Sequence, residues 1–178
     1  LAFRGEDGGK AISPRSPFTM AGERIGFDAE RRLPAVAKKP LRDELPEVVQ
    51  VSEAKTMVAF FTGDSLNYFY PQAGKDLVEV LATNNVEVHI PKDQSCCGTP
   101  VLVHGDVKTA RALAKRNIDA FDKTGCEYII TGCGSCGSAW QHDYTELFAK
   151  DPVYGPKAEY WAKRVYDIST LLTRVITL

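Results

Sequence analysis

At 178 residues the chain has room for one domain of ordinary size and an appendage. Its composition, 44% hydrophobic and 25% charged, is that of a globular protein with a sizeable core, and a net charge of −1 leaves no electrostatic footprint for nucleic acid. Apolar runs such as Met57 to Phe61 fall far short of the roughly 20 residues a spanning helix needs, so no direct membrane insertion is expected.

The start, Leu1-Ala2-Phe3-Arg4, lacks a charged n-region and a long apolar h-region, so it does not read as a secretory signal. It does not begin with Met either, which predicts a piece of a longer chain. Five cysteines is an odd number in a chain too large to need disulfide staples. That usage predicts a reducing, cytoplasmic compartment in which thiols bind metals or do chemistry.

Residues 1–54 read as an arm or linker. Pro14, Pro17, Pro34, Pro40 and Pro46 fall there, with Gly8-Gly9 and scattered charges, and neither helical nor strand periodicity persists. A disordered segment is one reading. Phe3, Ile12, Phe18, Met20, Ile25, Phe27, Leu33 and Val36 are more apolar than a free tail requires. They favour an extended arm laid on the domain or on a partner. Gly5 to Gly9 is no phosphate loop, since no strand precedes it and no helix signal follows.

From Lys55 the signals alternate between strand and helix. Thr56 to Thr62 predicts a buried strand ending at Gly63-Asp64-Ser65, a loop with helix-capping chemistry. Pro71 opens a helix that buries Leu77, Val78 and Leu81, and Asn84-Asn85 breaks it. Val86 to Ile90 predicts a second strand, stopped by Pro91, that delivers the chain to Cys96-Cys97. Gly105-Asp106 caps an amphipathic helix with Val107, Ala110, Ala114 and Phe121 on one face, flanked by Leu113 and Ile118. Lys108, Arg111, Lys115 and Arg116 face water in this reading. Cys126 to Thr131 predicts a third strand, ending at Gly132 and Cys133-Gly134-Ser135-Cys136. A helix follows over about Ser135 to Phe148, a turn over Pro152 to Pro156, and a last helix over Lys157 to Val175.

This alternation predicts an α/β fold: a small, mostly parallel sheet of about three or more strands flanked by helices, with an extended N-terminal arm. Asp64, Cys96 and Cys97, and Cys133 and Cys136 each follow the end of a predicted strand. In open α/β sheets, sites assemble at the carboxyl ends of strands, so these residues are expected to converge on one edge.

Thiolates suit iron–sulfur clusters, zinc or Cu(I). Adjacent cysteines rarely turn both sulfurs toward one tetrahedral ion without strain, so Cys96-Cys97 with Cys133 and Cys136 points to a multi-iron cluster. Gly98, Gly132, Gly134 and Gly137 would let the backbone approach that cluster closely and offer N–H groups to its sulfides. His104, shortly after the vicinal pair, is a candidate to hydrogen-bond a sulfide or relay a proton, against a plain loop histidine. Cys126 reads as a small core residue, His142 as a surface residue of a helix, and His89 as core or edge.

At these residues the chain resembles the cysteine-rich CCG domain of heterodisulfide reductase and of the iron–sulfur subunits of glycolate oxidase, anaerobic glycerol-3-phosphate dehydrogenase and lactate-utilisation proteins. The family pattern is a first Cys, a Cys-Cys-Gly and a Cys-x-x-Cys. Here 35 residues lie between Cys97 and Cys133, which fits the family spacing, and 31 lie between Asp64 and Cys96. Asn67-Tyr68-Phe69-Tyr70-Pro71 resembles the stretch that follows the family's first Cys, and the likeness spans roughly residues 55–170.

The departure is Asp64, which stands where the first Cys is expected. In heterodisulfide reductase the full motif resembles a five-thiolate site for a noncubane [4Fe–4S] cluster that cleaves a disulfide, and that full site cannot form with aspartate in the first slot. Three readings stay open: Asp64 ligates iron by oxygen, four cysteines hold a more ordinary cluster or zinc, or the site is structural only. A four-cysteine cluster used for electron transfer, [4Fe–4S] by preference, with Asp64 close by, is the favoured expectation.

The resemblance also implies a missing ferredoxin-like domain before residues 1–54, and residues 55–178 as a CCG domain, the first of a pair. It implies redox partners: a flavin dehydrogenase, a ferredoxin-like domain and a membrane quinone-linked subunit that would hold the protein peripherally at the cytoplasmic membrane. On this reading the chain is part of an oxidoreductase, more an electron carrier than a complete catalyst. The alternative is a metal-free thiol–disulfide module using Cys133 and Cys136, since a Cys-x-x-Cys between strand and helix lowers a thiol pKa. That alternative gives the vicinal pair no role, and a structural zinc site lies between the two.

Overall fold

A five-stranded sheet organises the computed structural model, which describes residues 36–176. The strands are β1 (Val48–Val49), β2 (Thr56–Phe61), β3 (Val86–His89), β4 (Tyr128–Thr131) and β5 (Val165–Asp167), in the spatial order β1-β3-β2-β4-β5. β2, β3, β4 and β5 run parallel, with Val58 opposite both Val88 and Tyr128, and Ile129 opposite Val165. Only β1 is antiparallel, Val48 pairing with His89 at the outer edge of β3. The fold is the expected α/β one, a mostly parallel sheet flanked by helices.

Val58 to Phe61 of β2 is fully buried on both sides, as befits the central strand of a covered parallel sheet. Its alternate residues feed two cores. Val58 and Phe60, with Val86, Val88 and Ile130, pack under Leu77, Val78 and Leu81 of α2 (Pro71–Thr83) and under Leu41. Leu41 lies on α1 (Leu41–Glu44), and a Cβ on Gly74 of α2 would overlap its side chain. Ala59 and Phe61 face the other way, with Ile129, Trp140, Tyr144 and Trp161.

Over that second face lie α3 (Thr99–Val103), α4 (Val107–Asp122), α5 (Gly134–Ser138), α6 (Tyr144–Leu147) and α7 (Tyr154–Ala162). The wider turn Ala139–Asp143 joins α5 to α6, so the helix expected over Ser135 to Phe148 is one continuous path. The α4 N-cap is as read: the Asp106 carboxylate accepts from Thr109 N–H at 3.0 Å. Its buried face is Ala110, Ala114, Asn117, Ile118 and Phe121, whereas Val107 is exposed.

The C-terminal segment corrects the expectation of one helix over Lys157 to Val175. The chain is helical only to Ala162, turns, and adds β5 beside β4, with Ile129 N–H bonded to Arg164 O at 2.9 Å. Burial of Val165 and the open edge of β4 outweigh the local helical pattern. Asp167 then caps α8 (Ile168–Thr170), accepting from Thr170 N–H at 3.0 Å. Within the stretch read as an arm, α1 and β1 are built into the sheet domain, and residues 1–35 lie outside the described residues. Among the described residues no helix is long and apolar enough to cross a membrane.

Candidate metal centre

Three parallel strands deliver three loops to one edge. β2 runs through Thr62 into Gly63-Asp64 and the helical turn Ser65–Phe69. β3 runs through Ile90 and Pro91 to Cys96-Cys97-Gly98, and β4 through Gly132 to Cys133 and α5. Cys97 and Cys136 belong to the buried core under Phe61 and Trp140, and Cys96 and Cys133 pack against it half-buried. The sheet therefore brings together all four cysteines of the motif.

The close approach of these loops requires glycine. Gly63 has φ +58°, and a Cβ there would lie 2.7 Å from Cys136 Sγ. Gly98, with φ +92°, lets the chain leave Cys97 in a left-handed turn directly into α3. A Cβ on Gly132 would lie 2.8 Å from Leu66 Cδ1.

Two buried side-chain amides fix the Cys96-Cys97 loop. Asn117 on α4 accepts from Ser95 N–H at 2.7 Å and donates to Cys96 O at 2.9 Å. It also donates to the Tyr144 hydroxyl at 2.9 Å, and that hydroxyl donates to Cys97 O at 3.0 Å. Gln94 accepts from Thr62 N–H at 2.9 Å and donates to Phe60 O at 3.1 Å and Pro91 O at 2.9 Å. One amide thus ties the loop to α4 and the other ties it to the end of β2. Neither was singled out from sequence. Asn117 left a trace, as a polar residue on the apolar face of α4, while Gln94 sits in a loop with no periodicity to mark it.

The thiols are not equivalent. Burial pushes Cys96 up to about 12, and a hydrogen bond to the Asp64 carboxylate adds to it. The Cys136 thiol bonds to Cys97 and, with further help from Thr99 and against burial, lowers Cys97 to about 6. The same bond, followed by burial, pushes Cys136 well above the ordinary thiol range. Cys133 is lowered: burial opposes the shift and is outweighed by the Ser135 hydroxyl, 3.2 Å from its Sγ, and by the backbone N–H of Cys136. The sulfurs thus form a chain, Cys96 to Cys97, Cys97 to Cys136 and Cys136 to Cys133, with Asp64 beside Cys96. Among the described residues, no three His, Cys, Asp or Glu side chains are gathered about a single ion position.

Gly98 is buried beneath the vicinal pair, and Asp64 stands beside Cys96. His104 lies at the C-terminal end of α3, exposed, with no hydrogen bond among the described residues. Cys126 is a core residue, buried and pushed up to about 11 by that burial. His89 pairs with Glu87 at 2.7 Å on β3, and His142 is exposed.

The donor set fits a thiolate-bound group. It offers four sulfurs, two of them, Cys97 and Cys133, already biased toward thiolate, and the Gly63 backbone lies so close to Cys136 that no side chain fits between them.

Fold and site together define a cysteine-rich α/β domain whose thiols gather at the carboxyl ends of parallel strands. Residues 58–140 match the family described as the cysteine-rich domain CCG, the family that the sequence resembles. Among its relatives, lactate utilization protein A 2 of Bacillus cereus (strain 03BB102) is 37% identical over 119 residues, covering 67% of this chain and 48% of that protein. Lactate utilization protein A 1 of Bacillus anthracis (strain CDC 684 / NRRL 3495) is 35% identical with the same coverage. An uncharacterized iron–sulfur protein of Methanocaldococcus jannaschii is 37% identical over 112 residues, 60% of this chain and 23% of that one. The chain spans about half the length of the lactate utilization proteins it matches. No solved structure matches it.

Proposed function

We propose that Cys96, Cys97, Cys133 and Cys136 hold an iron–sulfur cluster, [4Fe–4S] by preference, and that the domain carries electrons within an oxidoreductase assembly. The observation that carries this reading is the convergence of the vicinal pair and the Cys-x-x-Cys at one end of the sheet, Cys97 and Cys136 inside the core and Cys96 and Cys133 half-buried beside it. A polynuclear cluster takes ligands at separated corners, which suits four sulfurs that do not gather about one ion position. The relative in Methanocaldococcus jannaschii, named an iron–sulfur protein, supports it further.

Such a cluster supplies one-electron transfer when bound. The chain's own part is to hold and tune it. Phe61, Trp140 and Tyr144 exclude water from the inner side, and Asn117 and Tyr144 fix the loop by hydrogen bonds to the carbonyls of Cys96 and Cys97. Asp64, in the first slot of the motif, stands beside Cys96 and would border a cluster held there. We place the domain in an assembly with a flavin dehydrogenase, a ferredoxin-like domain and a quinone-linked membrane subunit. The chain spans about half the length of its lactate utilization relatives, and in this reading it is one segment of a longer electron-carrying chain, its sheet domain, with α1 and β1 included, being the first CCG domain of a pair.

The test is iron, zinc and acid-labile sulfide content on anaerobically purified protein, with an EPR spectrum of the same sample. About four irons and four sulfides per chain are expected, with a cluster signal on oxidation or reduction. One zinc without sulfide, or no metal with a reversible Cys133–Cys136 disulfide, overturns the proposal.

A further inference from the structure

Beside Cys96, on the side away from the core, lies a cleft of ≈ 480 Å³. Arg42, Lys92 and Arg116 line it together with Asp43, Asp64 and Asn67. None of the three cations forms an ion pair among the described residues. Each spends only part of its donor set, and on backbone carbonyls. Arg42 bonds to Gln94 O and Lys92 O, Lys92 to Leu45 O and Arg42 O, and Arg116 Nε to Asp93 O at 2.8 Å. Lys92 is held below its ordinary pKa, first by desolvation at the cleft, a shift that an anion bound there would oppose.

An independent observation comes from Asn67, which is fully buried. Its Oδ1 accepts from Arg42 N–H at 3.0 Å, and that bond fixes which end of the amide is which. Its Nδ2 is left as a buried donor with no partner among the described residues, in the wall of the cleft. Buried donors are nearly always satisfied, so this one implies an acceptor.

We propose that the cleft binds the carboxylate of a small organic acid, singly charged, beside Cys96. The donors are two guanidinium forks, an ammonium and an amide N–H, and planar forks match a planar carboxylate. Three cations face two carboxylates, Asp43 and Asp64, so the lining carries a single excess positive charge and favours a monoanion over a multiply charged phosphate. The volume accommodates an organic acid rather than a bare ion. The site deepens the proposed electron-transfer reading by placing an organic acid against the metal centre, but none of its donors is a cluster ligand.

Calorimetric titration of the metal-loaded protein with propionate and with L-lactate tests it, with phosphate and succinate as comparisons. Saturable binding of a monocarboxylate is expected, weakened about tenfold or more in Arg116→Gln and in Lys92→Met, both changes on exposed side chains. An EPR shift on adding the acid reads proximity to the centre. Calorimetry reads the cleft whichever metal the cysteines hold, so failure of the iron–sulfur reading remains distinguishable from failure of this one. No saturable binding, equal binding in both variants, or binding of phosphate alone overturns the proposal.

Discussion

The Cys136 thiol bonds to Cys97, lowering Cys97 and raising itself, while burial and Asp64 hold the Cys96 thiol up. Metal capture must expel the protons on Cys96 and Cys136 but finds Cys97 largely ionised at neutral pH. Metal affinity of the stripped protein is therefore expected to rise with pH through the neutral and mildly alkaline range, with proton release visible in differently buffered calorimetry. Cys126 gives a stability effect free of the metal site. Its folded pKa of about 11 lies above the roughly 8.5 of an unfolded thiol. The raised value means its contribution is intact below about pH 8.5 and is lost as pH rises toward 11. Urea titrations of metal-free protein at neutral and alkaline pH should show a smaller alkaline loss for Cys126→Ala than for wild type.

Asn117 is the other residue-scale test. Replacing it with Ala strips partners from Ser95 N–H and Cys96 O and leaves the Tyr144 hydroxyl with one bond fewer. Unsatisfied buried groups of this kind cost about 1–3 kcal/mol each. Asn117→Ala should therefore lower unfolding free energy by about 3 kcal/mol in urea. Metal content per chain should also fall, because the loop carrying both vicinal cysteines is freed. Retained metal content at reduced stability would show that the loop holds its shape without the amide.

Among the elements, α1 and β1 carry the most information about where the domain begins. Leu41 is fully buried under α2 and fits only because residue 74 has no side chain. Gly74→Ala drives a methyl into Leu41, and overpacking of this kind costs about 1–3 kcal/mol. The loss should appear as an earlier urea midpoint. It should be accompanied by faster amide exchange in α1 and β1, and by little change in β4 and β5.

The same elements show what the sequence made legible. β2, β3, β4 and their helices were readable because each is an uninterrupted apolar run or a clean amphipathic pattern bounded by Gly, Pro or Asn. Convergence of the cysteines followed from strand ends alone. β1 was not readable, since two residues, Val48-Val49, carry no periodicity and owe their strand conformation to the open edge of β3. β5 was misread because Val165-Tyr166-Asp167 continues a helical pattern locally and becomes a strand only through β4. The amides of Gln94 and Asn117 work through contacts distant in the chain, which spacing does not reveal.

For the molecule as a whole, the question is how much of the fold depends on the metal centre. The core beneath α2 contains no cysteine at all, and it alone buries Leu41, Phe60, Leu81, Ile90 and Ile130 completely. The opposite core meets the cysteines at one end, while Phe121, Phe148 and Trp161 lie among aromatic contacts of their own, such as Phe61 with Phe121 at 5.7 Å. Each core is continuous through its own apolar side chains, and every strand of the sheet between them pairs with a neighbour. This differs from small metal domains in which the ion replaces the core and its removal unfolds the chain. Chelation is accordingly expected to leave far-UV circular dichroism and the protection of β2 and β4 amides nearly unchanged, while exchange accelerates in the three loops at residues 62–67, 94–99 and 132–137. Within those loops the segment near Asn117 and Gln94 should loosen least, because its hydrogen bonds do not pass through sulfur. If β2 and β4 lose protection together with the loops, the metal is a folding element, and the aromatic cores are too weak to hold the sheet on their own.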